Sequence, residues 1–170
     1  TGRFMVVVPE APVFSVSGSD VVLSCSVRDV FDQNIMVNAV DLNVTWSRSD
    51  LRDSLVHLYK NHKDLNTDQI PSYRGRTAVF KEQLKNGDAS LKLSNVRITD
   101  EGEYRCRVDS KSWWKNKTIK LSVEGKHFMY CSQRRLFKWF VMFSSDVRNT
   151  SVQILQVTNV CRDATFQKLK

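Results

Sequence analysis

Short runs in which apolar and polar residues alternate, separated by turn-forming residues, fill the first 124 positions of the chain. A side-chain period of two over runs this short predicts strands, and a series of them predicts an all-β domain of packed sheets. Residues 4–8 and 13–16 flank Pro9 and Pro12, so the first strand is expected to be an edge strand broken in two. Residues 21–27 put Val21, Leu23, Cys25 and Val27 on one face, and residues 44–47 turn Val44 and Trp46 inward. Residues 55–60 are expected to face Val56 and Leu58 inward and His57 and Tyr59 outward. A strand at 76–80 is followed by the turn-forming pair Asn86-Gly87 and a strand at 90–96. The last two runs, 102–109 and 118–123, direct Tyr104, Cys106, Val108, Ile119, Leu121 and Val123 inward.

Four inward positions carry more than packing. Cys25, Trp46 and Cys106 form a Cys…Trp…Cys series, and Tyr104 stands two residues before the second cysteine within Asp100-Glu101-Gly102-Glu103-Tyr104-Arg105-Cys106. This framework resembles that of an immunoglobulin β-sandwich, in which the cysteines bridge the sheets, the indole packs on the bridge and the tyrosine ties a corner. The long stretch from Trp46 to Arg76 leaves room for extra strands, favouring a variable-type (V-set) sandwich. The resemblance implies a Cys25–Cys106 disulfide and, in sandwiches of this type, an ion pair between Arg76 and Asp100 that closes the lower end. An oxidised bridge points to the cell exterior. Three Asn-x-Thr/Ser sequons, at Asn43, Asn116 and Asn149, agree with that compartment.

A narrower resemblance rests on residues 44–49, on Val56-His57-Leu58-Tyr59-Lys60-Asn61, on residues 69–77 with Tyr73-Arg74-Gly75-Arg76-Thr77, and on 91–96. Together with the segment ending at Cys106, these are similar to the butyrophilin and myelin-oligodendrocyte-glycoprotein branch of the B7-like immunoglobulin proteins. The resemblance covers residues 3–124. It implies a cell-surface protein whose variable domain meets a receptor or counter-ligand on another cell, such as a lymphocyte, and modulates T-cell activation. A self-associating adhesion module without a signalling role is the alternative. The connection from Arg28 to Leu42 is longer than usual for this branch, and its Phe31, Ile35, Met36 and Val37 suit either a contact loop or an insertion folded back on the sheet.

Charge divides the chain. Of the net charge of +8, residues from Gly125 onward carry eight basic against two acidic side chains, leaving only +2 on residues 1–124. Residues 125–170 are therefore expected to be a separate basic tail, either poorly ordered or the remnant of a truncated second domain. Residues 133–143 mix Arg134, Arg135 and Lys138 with aromatic residues, which suits an anionic membrane surface, nucleic acid or packing on the sandwich. Nucleic acid is not expected outside the cell. Residues 136–143 fall far short of the roughly 20 apolar residues that span a bilayer, and the first residues read as a strand rather than a secretory signal. Residues 152–160 read as a further strand, and Cys131 and Cys161 could bridge each other, pair between chains or stay free.

Candidate chemistry is that of recognition. The three histidines, His57, His62 and His127, lack metal-ligand spacing or a nearby nucleophile motif, so no catalytic residue, metal or cofactor is expected. If Tyr104, Cys106 and Val108 face inward, Arg105 and Arg107 face outward, sharing a surface with Thr45, Ser47, His57, Tyr59 and Lys120. Trp113 and Trp114 follow at the next loop. Trp, Tyr and Arg are the residue types that dominate binding hot spots, so Tyr59, Arg105, Arg107, Trp113 and Trp114 are the candidate partner-binding residues. Equally, one tryptophan could pack on the end of the sandwich or on the tail, with Arg105 and Arg107 forming a solvated face.

Overall fold

The computed structural model describes residues 3–125, 127–133, 136–142 and 166–168. It contains two compact units, Thr1–Val123 and Glu124–Lys170.

The first unit is a two-layer sandwich. Strands β1 (Phe4–Val7) and β2 (Val13–Val16) are the two halves of the broken edge strand. The run expected at 21–27 is split into β3 (Val21–Leu23) and β4 (Ser26–Asp29). At the break, the Cys25 amide donates to Ser90 Oγ at 3.0 Å, so a side chain replaces a ladder partner. The inward set Val21, Leu23, Cys25 and Val27 is nevertheless buried as its alternation predicts.

Strands β5 (Asn43–Arg48), β6 (Ser54–Lys60) and β7 (Lys63–Asp64) follow, then β8 (Thr77–Val79), a single helical turn α1 (Lys81–Leu84) and β9 (Leu91–Leu93). The long strands β10 (Gly102–Asp109) and β11 (Trp114–Glu124) complete the unit. One sheet runs β2-β11-β10-β5-β6-β7, and the facing layer consists of β3-β9-β8 and the pair β1-β4.

Cys25 and Cys106 are joined by a disulfide with Cα atoms 6.6 Å apart. It closes a loop of 81 residues, which in the chain-entropy view stabilises the fold by ~4.5 kcal/mol. Trp46 is fully buried and its Nε1 donates to Ala89 O at 3.0 Å, so the indole fills the centre without stranding its polar atom.

The lower end is closed by a buried polar network. Arg76 meets Asp100 through two parallel bonds of 2.8 and 2.9 Å, the bidentate geometry that makes such pairs strong. Tyr104 Oη donates to Asp100 O at 2.7 Å, forming the corner, and shares a 2.8 Å bond with Tyr73 Oη. Arg48 enters the same network, donating to Tyr73 Oη at 2.8 Å and to Asp50 at 2.7 Å. The Asp50 carboxylate raises the pKa of its guanidinium further. This pair also explains Gly102, because a Cβ there would collide with the Arg48 guanidinium and the Asp50 carboxylate.

The outward placement of His57 and Tyr59 is overturned. Trp46 pairs with His57 but Ser47 pairs with Leu55, leaving Val56 as an extra residue in β6. A bulge of this kind reverses side-chain parity beyond it. Val56 and His57 are both buried in succession, and Tyr59 is only 3 % exposed, with its Oη donating to Val40 O at 3.1 Å. Leu58, expected inside, pairs with Thr45 on the outer side.

In the second unit, β12 (His127–Gln133) pairs antiparallel with both β13 (Leu136–Met142) and β14 (Phe166–Lys168). The tail thus contains a three-stranded sheet. The strand expected at 152–160 and Cys161 lie outside the described residues, and with them any pairing between Cys131 and Cys161. No helix among the described residues is long and apolar enough to cross a membrane.

Candidate functional site

The outer face of the six-stranded sheet is built by register. Arg107 of β10 lies opposite Thr45 of β5 and Asn116 of β11. One step along, Asp109 lies opposite Asn43 and Trp114, and one step back Arg105 lies opposite Ser47 and Thr118. Glu103 faces Lys120 at the far end. Because alternate residues of a strand point to one side, these side chains share the surface opposite the core. Thr45, Arg105, Arg107 and Lys120 are therefore where strand parity puts them. Ser47 belongs to the same rung but is covered, being buried beside the bulge.

Arg107 is exposed, and its guanidinium lies 5.0 Å from the centroid of the Trp114 ring. That distance is within the range of a cation–π contact. Its Nε is 3.5 Å from Asp109 Oδ1, and Asp109 in turn accepts from Asn43 Nδ2 at 3.0 Å. The cluster Asn43, Asp109, Arg107 and Trp114 is thus pre-arranged on rigid strands. Arg105 is half-buried and paired to Asp53 at 2.6 Å, which leaves it less free to meet a partner.

The two adjacent tryptophans have different environments. The connection between β10 and β11 is tight: Ser110 N donates to Trp113 O at 2.8 Å, and Trp113 N donates to Ser110 Oγ at 3.1 Å. Trp113 is tied down, its Nε1 donating to Phe4 O at 2.9 Å while Arg3 and Lys115 lie 5.2 and 5.0 Å from its ring centroid. Trp114 is the first residue of β11, four residues earlier than the run at 118 suggested, and is 56 % exposed. Of the five candidate residues, the fold brings Arg105, Arg107 and Trp114 to the outer face, seats Trp113 against β1 and buries Tyr59.

The connection from β4 to β5 has an exposed tip and a base folded back on the core. Asp29 Oδ1 accepts from the amides of Phe31 at 2.7 Å and Asp32 at 3.2 Å, and Asp29 N donates to Ile35 O at 2.9 Å. These bonds hold a hairpin-like tip on which Phe31 is 90 % exposed. Val37, Val40 and Leu42 instead pack against the core.

His57 is a buried polar group outside this face. Its Nδ1 is 3.0 Å from Thr77 Oγ1 and its Nε2 3.2 Å from Asp64 Oδ1. Burial pushes its pKa below the usual histidine range, an effect that the Asp64 carboxylate only partly offsets. Of the three sequons, Asn43 and Asn116 are on the outer face of the sheet, and Asn149 lies outside the described residues.

Comparison with known proteins agrees with this architecture. The Immunoglobulin V-set domain profile matches residues 8–124. The chain is 35 % identical over 127 residues to human (Homo sapiens) myelin-oligodendrocyte glycoprotein, covering 75 % of this chain and 49 % of that protein. It is 36 % identical over 108 residues to human V-set domain-containing T-cell activation inhibitor 1, covering 64 % of this chain and 36 % of that protein. The chain thus spans half or less of the length of these curated relatives. Among solved structures, the human B7-H4 IgV-like domain superposes with a TM-score of 0.58 at 32 % identity, covering 71 % of this chain and 97 % of that one. Bovine butyrophilin gives 0.65 at 23 % identity, covering 78 % and 60 %, which shows a shared fold. The resemblance read from the sequence is therefore correct at the level of fold and relatives, and the chain belongs to the immunoglobulin V-set family.

Proposed function

We propose that residues 1–124 are the recognition module of an extracellular, cell-surface protein and that residues 125–170 form a distinct basic segment. The module meets a protein receptor on another cell, a lymphocyte, and modulates T-cell activation. The observation that carries this reading is the exposed Trp114 held under the Arg107 guanidinium at 5.0 Å on a rigid sheet face. A large aromatic with a cation fixed beside it offers apolar area and charge without much ordering cost, as hot spots do. The disulfide and the sequons support an extracellular setting. The name of one relative, V-set domain-containing T-cell activation inhibitor 1, supports the choice of cell.

The test is staining of activated T cells by multimers of the soluble chain. Trp114→Ala and Arg107→Ala should each abolish staining with the melting temperature nearly unchanged. Undiminished staining by both variants overturns the assignment of this face. Self-association is the competing reading, favoured by the ordered and exposed Phe31. Sedimentation that shows dimers lost on Phe31→Ser, with no cell staining at all, would establish it instead.

A further inference from the structure

Two of the three sequons converge on one small area. Asn43 and Asn116 come from strands separated by 73 positions in sequence, yet both flank β10, Asn43 opposite Asp109 and Asn116 opposite Arg107. Two strand spacings and one two-residue step put them roughly 12 Å apart on the same side of the sheet. Arg107 lies between them, and Trp114 shares a rung with Asn43. Their sequon hydroxyls, Thr45 and Thr118, point to the same side by the same parity.

We propose that Asn43 and Asn116 both carry N-linked glycans and that this pair roofs the Arg107–Trp114 patch, so that partner binding belongs to chains lacking one or both. The proposal rests on the recognition face assigned above. The donor is a lipid-linked pyrophosphoryl oligosaccharide. A bond forms from the side-chain amide nitrogen to the anomeric carbon, the bond from that carbon to the pyrophosphate oxygen breaks, the pyrophosphate leaves with the electron pair, and the amide gives up one proton. The product is a secondary amide that keeps one N–H. At Asn43 this remaining hydrogen can still be donated to Asp109, the acceptor it has at 3.0 Å in the unmodified chain. The modification is thus compatible with the fold, and the Asp109 contact orients the first sugar over the sheet. Bulky, solvated glycans on both sides of a small patch exclude a protein partner from it.

The experiment expresses the full chain in cells with a competent secretory pathway. Glycopeptide mass spectrometry then reads occupancy at Asn43 and Asn116, and activated T cells serve as the binding probe. The unmodified double variants N43Q/N116Q and T45A/T118A are compared with the parent. The second pair keeps both asparagines and hence the Asp109 contact. The expected result is glycan at both sites and staining that rises about ten-fold or more in either double variant, the scale of one hot-spot contact. Hydroxyl-radical footprinting should also show Trp114 oxidised faster once the glycans are removed. Unmodified asparagines overturn the inference and leave the face assignment intact. Glycans present with equal staining and equal Trp114 oxidation overturn the roof. Staining indifferent both to the glycans and to Trp114→Ala overturns the face itself.

Discussion

Arg107 and Trp114 are partners across a strand pair rather than along one strand: the guanidinium sits 5.0 Å from the indole centroid, diagonal to the rung that Arg107 shares with Asn116. Diagonal neighbours in an antiparallel pair are within reach of long and aromatic side chains. The contact holds each side chain in place before any partner arrives. Arg107→Lys should keep the charge but weaken binding more than an ordinary conservative change, because a lysine cannot stack as a planar guanidinium does. Titration of cell staining across Arg107, R107K and R107A reads this.

The adjacent tryptophans should separate in the two assays. Trp113→Ala loses the bond to Phe4 O and leaves that carbonyl unpaired, a cost of about 1–3 kcal/mol. Trp114→Ala should cost little stability and most of the binding. Chemical denaturation beside staining checks both, and the reverse pattern would exchange their roles.

Removing the Cys25–Cys106 bridge should cost ~4.5 kcal/mol, a large share of the stability of a domain of this size. The paired variant C25A/C106A should therefore unfold at much lower denaturant, if it accumulates at all. Asp100→Asn should be destabilising by about 3–5 kcal/mol, since it leaves the buried Arg76 guanidinium without its countercharge. Gly102→Ala, at the mouth of the same network, forces the Arg48–Asp50 pair aside and should cost about 1–3 kcal/mol.

His57 gives the sandwich a pH dependence of defined sign. Its folded-state pKa lies below the ordinary value because burial opposes the charged ring. The unfolded chain therefore binds the proton first as pH falls, and stability decreases from near the unfolded value of ~6.5 down to the folded one. Unfolding midpoints at about pH 7.5 and about pH 5.5 should differ, with the acid sample weaker. His57→Gln, which keeps hydrogen-bonding capacity without titrating there, should flatten the difference. A midpoint that rises on acidification would contradict this placement.

Much of the framework is legible in the residues because each part has one demanding role. Cys25, Trp46, Cys106 and Tyr104 are spaced for a sandwich core, and Arg76 with Asp100 for its lower end. The alternation Tyr104, Cys106, Val108 suffices to turn Arg105 and Arg107 outward. Tyr59 was not legible, because a single inserted residue at Val56 reverses parity and carries no mark in composition. Nor could Trp113 be told from Trp114, since which of them faces out depends on a turn of one particular length. The start of β11 was hidden for a related reason: residues 114–117 lack the apolar alternation that marks residues 118–123 as a strand. The contribution of Arg48 could have been suspected from a charged residue two positions after the buried Trp46.

The bulge at Val56 has an evolutionary consequence. Loss of that one codon would restore simple pleating to β6 while keeping its cross-strand pairs, His57 opposite Trp46 and Tyr59 opposite Val44. A lineage could thereby gain or lose the kink in this part of the sheet in a single mutational step, without exchanging its inner and outer side chains and without touching β10, β11 or the sulfur bridge.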